Sequence, residues 1–343
     1  MEIQPQGAII EVSIIVPCYN EENTIRLLLQ AILEQDYSKE KLEVIIADAL
    51  SEDHTLEQIK NFADKNPSLR INVVENYKRT IPAAINLAAE KSCGKYLIRL
   101  DAHSIPDKEY ISTSVDLLEK EIAQNVGGIW DIRPGDNSCV AKAIARAASH
   151  PIGAGDASYR LSGKASFVDT VPFGAFSKNT FEKVGGFNEK LLSNEDYEFN
   201  VRIRKNGGKI WLDPRIRSQY FARKNFRELA HQYGRYGFWK YQMIRAYPDT
   251  IRWRQAVPPL FCLAIYFFGI ISFFLPFARI IVASILTSYL LLLTIVAIIE
   301  ALKKRDFCYI FLIVAFAVMH LCWGNSFIFS MISRKKGNLK KIT

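Results

Sequence analysis

Charged residues are absent from long stretches of the last third of the sequence. Three stretches, 255–278, 280–299 and 307–333, contain no Asp, Glu, Lys or Arg. As a helix, each is long enough for a hydrocarbon core of about 30 Å, which needs about 20 residues. A buried helix of a soluble protein would explain one such stretch. Three in succession argue against an ordinary soluble chain and predict two or three transmembrane helices in a region that we place at 255–333.

Acidic residues are also scarce just before those stretches. Residues 202–254 carry 14 Lys and Arg against 3 Asp and Glu, whereas residues 1–201 carry 21 against 30. The net charge of +9 therefore comes from the second half of the chain. Aromatic residues alternate with the basic ones, which suits the headgroup layer of a membrane. We expect a membrane-interface segment at 219–254 and no nucleic-acid partner, although nucleic-acid binding uses the same residue types.

Closely spaced cysteines are absent as well. The six cysteines form no CxxC pair and lie at positions 18, 93, 139, 262, 308 and 322. Such spacing argues against a disulfide framework and against a zinc site. The N-terminal residues MEIQPQGAIIEV lack the basic and long apolar regions of a signal peptide. We therefore expect the polar part of the chain to lie in a reducing cytosol.

The first hundred residues alternate short apolar runs with segments of helical periodicity. The runs VSIIVPCYN, LEVIIADA, INVVEN and KYLIRLDAH predict strands, and the segments between them predict helices. Strands separated by helices indicate an α/β domain with a mainly parallel central sheet, which we place at 1–218. Ligands of such sheets bind beyond the carboxyl ends of the strands.

Polar side chains follow three of these predicted strands. They are Tyr19, Asn20 and Glu21 after the first strand, Asp48 after the second, and Asp101 and His103 after the fourth. Side chains two residues apart on an extended segment point the same way. The carboxylate and the imidazole are therefore candidate ligands of one divalent metal ion. A strand followed by a polar turn is the alternative.

A later segment, NEDYEFNVRIRKNGGK, supplies a further acid. Its apolar positions alternate as in a strand, but it begins and ends with the signals of a helix, and we favour the helix. Asp196 then lies in the first turn, where backbone N–H groups stabilise negative charge. Stabilisation of the helix is the alternative role for this residue.

Five motifs in this order resemble the family 2 glycosyltransferases of the GT-A fold. They are IIVPCYNEENTI, DALSEDHT, LDAH, FSKNTFEKVGGFNE and NEDYEFNVRIRKNG, within residues 11–215. LDAH and the apolar C-terminal segments resemble most the membrane-bound exopolysaccharide subgroup of the succinoglycan glucosyltransferase type. The resemblance implies an inverting transfer from a nucleotide sugar, usually UDP-linked, to a lipid-linked saccharide. The enzyme is then a multi-pass protein of the inner membrane with a cytosolic catalytic domain.

The resemblance also assigns roles to individual residues. The residues of the nucleotide pocket are Pro17, Tyr19, Glu21, Asp48 and Asp101. Among them, Asp48 matches the carboxylate that forms a hydrogen bond to the base. Asp101 and His103 occupy the Asp-x-Asp position, which holds Mn²⁺ or Mg²⁺ on the diphosphate. An imidazole ligand suits Mn²⁺ better than Mg²⁺. We therefore expect Mn²⁺ to restore the activity of metal-stripped enzyme better than Mg²⁺ does. Asp196 matches the general base.

Gln232 and Arg235 resemble part of the Gln-x-x-Arg-Trp motif of processive members, here with Tyr236 in the last position. Together with Glu195 they are candidate contacts of a diphosphate or of the acceptor. Arg235 serves equally well as part of the basic interface segment.

Two other functions stay open on the sequence. A polyprenyl-phosphate sugar synthase of the same fold uses a bare lipid phosphate as its acceptor. A nucleotide-binding membrane scaffold keeps the fold without turnover. The number of crossings also stays open, because three crossings would place the basic tail 334–343 outside, against the positive-inside tendency. The sequence makes no prediction of oligomeric state.

Overall fold

The computed structural model describes residues 9–161 and 163–333. They fall into two compact units, the first made of residues up to Asp131 with Ser162–Tyr220, the second of Ile132–Leu161 with the residues from Phe221 onward. The expected boundary at 218 lies close to the break after Tyr220, but 132–161 group with the second unit. The basic tail 334–343 and the start of the N-terminal segment lie outside the described residues.

In chain order, the helices and strands of the described residues are β1 (Val12–Cys18), α1 (Ile25–Leu33), β2 (Leu42–Asp48), α2 (Thr55–Lys65), β3 (Arg70–Glu75), α3 (Ile81–Lys91), β4 (Tyr96–Arg99), β5 (Ser104–Pro106), α4 (Tyr110–Glu119), β6 (Asn125–Arg133), α5 (Cys139–Ala148), α6 (Pro151–Ala154), β7 (Ser166–Phe167), β8 (Ala175–Ser177), α7 (Lys178–Val184), α8 (Glu195–Lys205), β9 (Ile210–Phe221), α9 (Phe226–Ala246), α10 (Trp253–Ile271), α11 (Pro276–Lys304) and α12 (Leu312–Ile332). Short 3₁₀ helices occupy Lys39–Lys41, Ser158–Arg160, Pro248–Thr250 and Phe307–Phe311.

The strands of the described residues form one mixed sheet in the order β3-β2-β1-β4-β8-β6-β9-β5, with β7 paired to β9. The strands β3, β2, β1 and β4 are parallel neighbours, which confirms the predicted α/β class. By contrast, β8 pairs antiparallel with β4 and β6, and β9 pairs antiparallel with β5 and β7. Most of these later strands have two or three residues, too few to show an alternating pattern in the sequence.

The central parallel strands β1, β2 and β4 are buried on both faces. Ile14 and Ile15 of β1 are inaccessible to solvent, and so are Ile45 and Ile46 of β2. Adjacent residues of a strand point to opposite faces, so both faces of the sheet are covered. This explains why the strands read as continuous apolar runs rather than as alternating ones.

Strand register brings the predicted site segments to one edge of the sheet. Cys18, the last residue of β1, lies opposite Asp48, the last residue of β2. Ile15 of β1 lies opposite Arg99, the last residue of β4. The loops after β1, β2 and β4 therefore leave the sheet at the same edge.

The two helices predicted in the second half of this unit are present. The helix stopped by a Gly pair is α7, which ends at Gly185 in the left-handed conformation, with φ 84°. A side chain is strained there, which is why glycine is favoured. The helix favoured for NEDYEFNVRIRKNGGK is α8, with Glu195 and Asp196 in its first turn.

The second unit contains the apolar C-terminal segments. Three helical segments are long and apolar enough to cross a membrane: Trp253–Ile271, Pro276–Lys304 and Phe307–Ile332. Large apolar side chains such as Phe267, Ile280 and Leu291 are exposed on them. Exposed apolar surface of this extent is typical of a surface that contacts a membrane or another protein, and the three helices have the length and composition that the charge-free stretches predicted.

A disulfide joins Cys139 of α5 to Cys308 of the 3₁₀ helix before α12. The spacing of the cysteines argued against a disulfide framework and did not reveal this single bond, because a separation of 169 residues leaves no trace in local spacing. Two ion pairs lie in the same region, with Lys142 Nζ 3.2 Å from Asp306 Oδ2 and Arg146 Nε 2.6 Å from Glu300 Oε2. The charged turn after α11 is therefore tied to α5.

Candidate functional site

Asp48 is linked to the loop after β1 through Ser51. The Asp48 carboxylate is buried and accepts hydrogen bonds from the Ser51 backbone N–H (2.9 Å) and hydroxyl (2.6 Å). The Ser51 hydroxyl accepts in turn from the backbone N–H of Asn20 (2.9 Å). Ser51 thus fixes Asp48 against the segment that carries Tyr19 and Glu21.

Tyr19 lies at an exposed position beside Arg79. The Arg79 guanidinium lies 5.1 Å from the centre of the Tyr19 ring, and Nη2 donates to the Tyr19 hydroxyl (3.0 Å) and to Glu52 Oε1 (3.1 Å). Pro17 belongs to β1, opposite Ala47. The loops after β1, β2 and β3 therefore contribute aromatic, basic and acidic groups to the edge next to Asp48.

Asp101, Ala102 and His103 form a turn between β4 and β5. The Ser104 backbone N–H closes the turn by donating to the Asp101 carbonyl (2.9 Å). The expectation that an extended backbone would align the two polar side chains was wrong. Ala102 is nevertheless buried, while Asp101 and His103 are partly accessible.

His103 makes a hydrogen bond to Glu21, which follows a different strand. His103 Nδ1 lies 2.9 Å from Glu21 Oε1. The contact joins the loop after β1 to the turn after β4. Glu21 and Asp48 are therefore both connected to neighbouring loops at this edge.

Arg99 is a site residue that the sequence analysis missed. It ends β4, is 2% exposed, and donates to three carboxylates. Its Nη2 donates to Asp101 Oδ1 (3.0 Å) and Glu195 Oε1 (3.2 Å), and its Nη1 donates to Asp196 Oδ1. A buried arginine is rare unless paired. The sequence signal for this residue was the presence of one charged residue within the apolar run YLIRL.

Three carboxylates share this one guanidinium, so the cluster carries excess negative charge. Loss of hydration on burial, with the nearby Glu195 and Asp101 carboxylates, raises the pKa of Asp196 to about 7, against the opposing effect of Arg99. Burial disfavours the charged form of Arg99, but the Asp196, Asp101 and Glu195 carboxylates raise its pKa overall. Arg99 therefore stays charged while Asp196 can exchange a proton near neutral pH.

Gln232 and Arg235 belong to α9 of the second unit. Gln232 Nε2 donates to the Tyr236 hydroxyl (2.9 Å), one helical turn further on. The first and last members of the processive-type motif are thus bonded to each other along the same helix.

In the described residues, no group of three His, Cys, Asp or Glu side chains is placed to hold a metal ion by itself. The side chains of Asp101 and His103 nevertheless fit a metal ion that takes its other ligands from a substrate. Ions of this kind use one or two protein side chains together with substrate phosphates. Asp101 and His103 supply one carboxylate and one imidazole in the same turn, and a second carboxylate, Glu21, bonds the imidazole.

Family models match two overlapping parts of the chain. Residues 13–185 match "Glycosyl transferase family 2", and residues 172–336 match "Glycosyl transferase family 21". The first match covers the motifs from β1 to α7. The second covers α8, α9 and the apolar helices.

Two curated relatives align over long stretches. The chain is 29% identical over 334 residues, 95% of this chain and 98% of the relative, to "Dolichyl N-acetyl-alpha-D-glucosaminyl phosphate 3-beta-D-2,3-diacetamido-2,3-dideoxy-beta-D-glucuronosyltransferase" of Methanococcus voltae. It is 30% identical over 227 residues, 65% of this chain and 67% of the relative, to "Succinoglycan biosynthesis protein ExoA" of Rhizobium meliloti.

A solved structure shares the fold. The mannosyltransferase PcManGT from Pyrobaculum calidifontis, in complex with GDP-Man and Mn²⁺, aligns with a TM-score of 0.57 at 21% identity. The alignment covers 93% of this chain and 90% of the mannosyltransferase. At this level of identity the likeness concerns the fold, and it agrees with the predicted GT-A architecture.

Proposed function

The chain belongs to glycosyl transferase family 2, and on that premise we propose that it transfers a sugar, with inversion, from a nucleotide sugar to a saccharide carried on a lipid phosphate. The observation that carries the proposal is the Arg99 cluster, which holds Asp101 and Asp196 on one guanidinium at the carboxyl edge of the sheet. Asp101 is suited to the donor diphosphate, and Asp196 is suited to the acceptor hydroxyl. The Methanococcus relative, named as acting on a dolichyl-phosphate-linked sugar, supports the class of acceptor.

Asp196 is proposed as the general base. A carboxylate with a pKa near the working pH takes a proton efficiently from a hydroxyl, and the pKa of Asp196 is raised to about 7. The acceptor oxygen loses its proton to Asp196 and bonds to the anomeric carbon. The bond from that carbon to the phosphate oxygen breaks, and the nucleoside diphosphate leaves with the electron pair. A single displacement inverts the anomeric carbon without an enzyme nucleophile.

Asp101 and His103 are the proposed protein ligands of Mn²⁺ or Mg²⁺. When bound, the ion neutralises charge that develops on the departing diphosphate. Pro17, Tyr19 and Asp48 are the proposed walls of the nucleotide pocket. Glu195, Gln232 and Arg235 remain proposed contacts of the diphosphate or the acceptor; Glu195 also accepts a hydrogen bond from Arg99.

Purified full-length protein, supplied with a panel of nucleotide sugars, tests the proposed function. With a polyprenol-linked saccharide as acceptor, we expect one donor to give a lipid product larger by one sugar, detected by mass spectrometry. Parallel reactions contain bare polyprenyl phosphate or no acceptor. Transfer to the bare lipid phosphate alone would indicate a polyprenyl-phosphate sugar synthase. Donor binding without any product would indicate a scaffold.

We further propose that the chain crosses the membrane twice, through α10 and α11. The third apolar helix, α12, runs in the same direction as α9 and packs along it. Gly237 of α9 has no room for a Cβ because the Trp323 carbonyl lies against it. Further along, Gln242 Nε2 donates to Ser330 Oγ (2.9 Å). One side of α12 is therefore covered by α9 rather than by lipid.

The composition of α9 supports a location for the pair. This helix contains Arg227, Glu228, Arg235, Lys240 and Arg245, and charged side chains are costly inside a bilayer. The α9–α12 pair therefore belongs to the cytoplasmic headgroup region. The C-terminus then stays in the cytoplasm, as the positive-inside tendency requires of a basic tail.

Reporter fusions test this topology. The reporter is an enzyme that is active on one side of the membrane only. A reporter fused after Leu275 is expected to lie outside the cytoplasm, and reporters fused after Asp306 and Thr343 are expected to lie inside it. The Leu275 fusion is the control, because it follows a single crossing. Opposite locations for the reporters at Asp306 and Thr343 would establish a third crossing through α12.

A further inference from the structure

The hydrogen bond between His103 and Glu21 specifies the position of the imidazole proton. Nδ1 of His103 lies 2.9 Å from Oε1 of Glu21. An ionised carboxylate accepts hydrogen bonds and cannot donate them, so Nδ1 carries the proton. In a neutral imidazole the lone pair then lies on Nε2. Metal-bound histidines commonly donate their other ring N–H to a carboxylate in this way.

Glu21 is itself held by several other contacts. Its second carboxylate oxygen, Oε2, accepts from the Thr24 hydroxyl. Its backbone N–H donates to Thr55 Oγ1 (2.7 Å), and its carbonyl accepts from the N–H groups of Thr24 (3.0 Å) and Ile25 (2.9 Å). Oε1 therefore has a fixed position at the start of α1. A fixed acceptor orients the ring that it bonds.

We propose that Glu21 is a positioning residue, which orients His103 so that Nε2 joins Asp101 in holding Mn²⁺ at the donor diphosphate. This role rests on the proposed function. It differs from the nucleotide contact that the family resemblance gave to Glu21. Because imidazole ligands suit Mn²⁺ and Mg²⁺ prefers oxygen, Glu21 also contributes to the choice of metal.

The Mn²⁺ affinity of the full-length protein, measured from the free-ion EPR signal with and without UDP, tests the proposal. The Glu21→Ala variant is expected to bind Mn²⁺ about 10- to 100-fold more weakly, the usual effect of losing such a partner. The Glu21→Gln variant is the matched control. Its amide oxygen still accepts from Nδ1–H, so we expect it to retain most of the affinity. Mg²⁺ affinity, measured by competition, should change less than Mn²⁺ affinity in Glu21→Ala.

Pulsed EPR of bound Mn²⁺ supplies a signature that a structural role would not change. The wild-type complex is expected to show ¹⁴N coupling from a directly bound imidazole, and His103→Gln should lose it. Absence of this coupling in the wild type would overturn the proposal without any variant, so it stays testable even if Glu21→Ala does not fold.

Two further results would also overturn the proposal. Glu21→Ala could bind Mn²⁺ as tightly as the wild type, or more tightly, which would make the contact an ion pair that competes with the metal. It could instead lose UDP affinity in metal-free buffer while keeping Mn²⁺ affinity, which would make Glu21 a nucleotide contact. None of these measurements requires turnover. A protein that shows the expected Mn²⁺ behaviour but transfers no sugar would therefore refute the proposed function alone.

Discussion

Replacement of Asp196 by Asn is expected to lower the kcat of sugar transfer by about 10²- to 10⁴-fold, the usual contribution of a general base. The amide keeps the shape of the side chain but takes no proton at neutral pH. Its oxygen can still accept from Arg99, so the fold and donor binding should persist. Initial rates of lipid-saccharide formation and the donor Kd give the two quantities to compare.

The matched control is Asp116→Asn. This acid is exposed on α4 and pairs with Lys120 at 2.7 Å, so its variant should keep the wild-type rate. A near-wild-type kcat for Asp196→Asn would assign the base to another residue.

The same role sets the pH dependence. The pKa of Asp196 is raised to about 7. Below this pH the Asp196 carboxyl group carries a proton and cannot take one from the acceptor. The wild-type kcat/KM is therefore expected to fall about tenfold per pH unit on the acid side and to level off above that pH. The residual activity of Asp196→Asn should lack this acid limb.

The positions of the acids were predictable from the sequence, because each follows a local signal. Asp48 and Asp101 come directly after apolar runs, and parallel strands bring their ends together regardless of what lies between. Asp196 follows from the start signal of α8. Composition similarly revealed the apolar helices without any tertiary information.

The connections between these residues were not predictable, because they depend on contacts between distant segments. Arg99 reaches Asp196 across 97 residues, and Cys139 reaches Cys308 across 169. Residues 132–161 begin with the last residues of β6 but group with the C-terminal helices. Neither periodicity nor capping signals carry information about such partners.

Arg99 links the two halves of the proposed chemistry. It ends β4, the strand that leads to the proposed metal-binding turn, and it bonds both acids in the first turn of α8. The proposed base is therefore fixed relative to the donor side by a single side chain. A planar guanidinium can direct several N–H groups to different carboxylates at once, whereas an ammonium group is a compact point charge on a flexible stem.

The Arg99→Lys variant is expected to lose about 10²-fold in kcat, because small displacements of catalytic groups cost rates of that order. The lysine keeps the positive charge but cannot reproduce bonds to three carboxylates. We expect the donor KM to change much less, since Asp48 and Tyr19 are unaltered. Arg99→Met removes the charge as well and should lower the free energy of unfolding by about 3–5 kcal/mol, the usual cost of leaving buried charges without their partner. Steady-state kinetics and denaturant unfolding measure these effects.

Arg202→Lys separates a positioning role from general stabilisation. Arg202 is also buried and lies on α8, the helix that carries Asp196. There it donates to Glu198 Oε1 and Oε2 (both 2.8 Å) and to the Gly186 carbonyl (2.6 Å). Its replacement should destabilise the protein without changing the kcat of the folded fraction. Equal losses of kcat in the two lysine variants would mean that Arg99 acts through stability alone. A loss confined to Arg99→Lys, with the acid limb of the pH profile displaced, would establish that the guanidinium positions Asp196 for proton transfer.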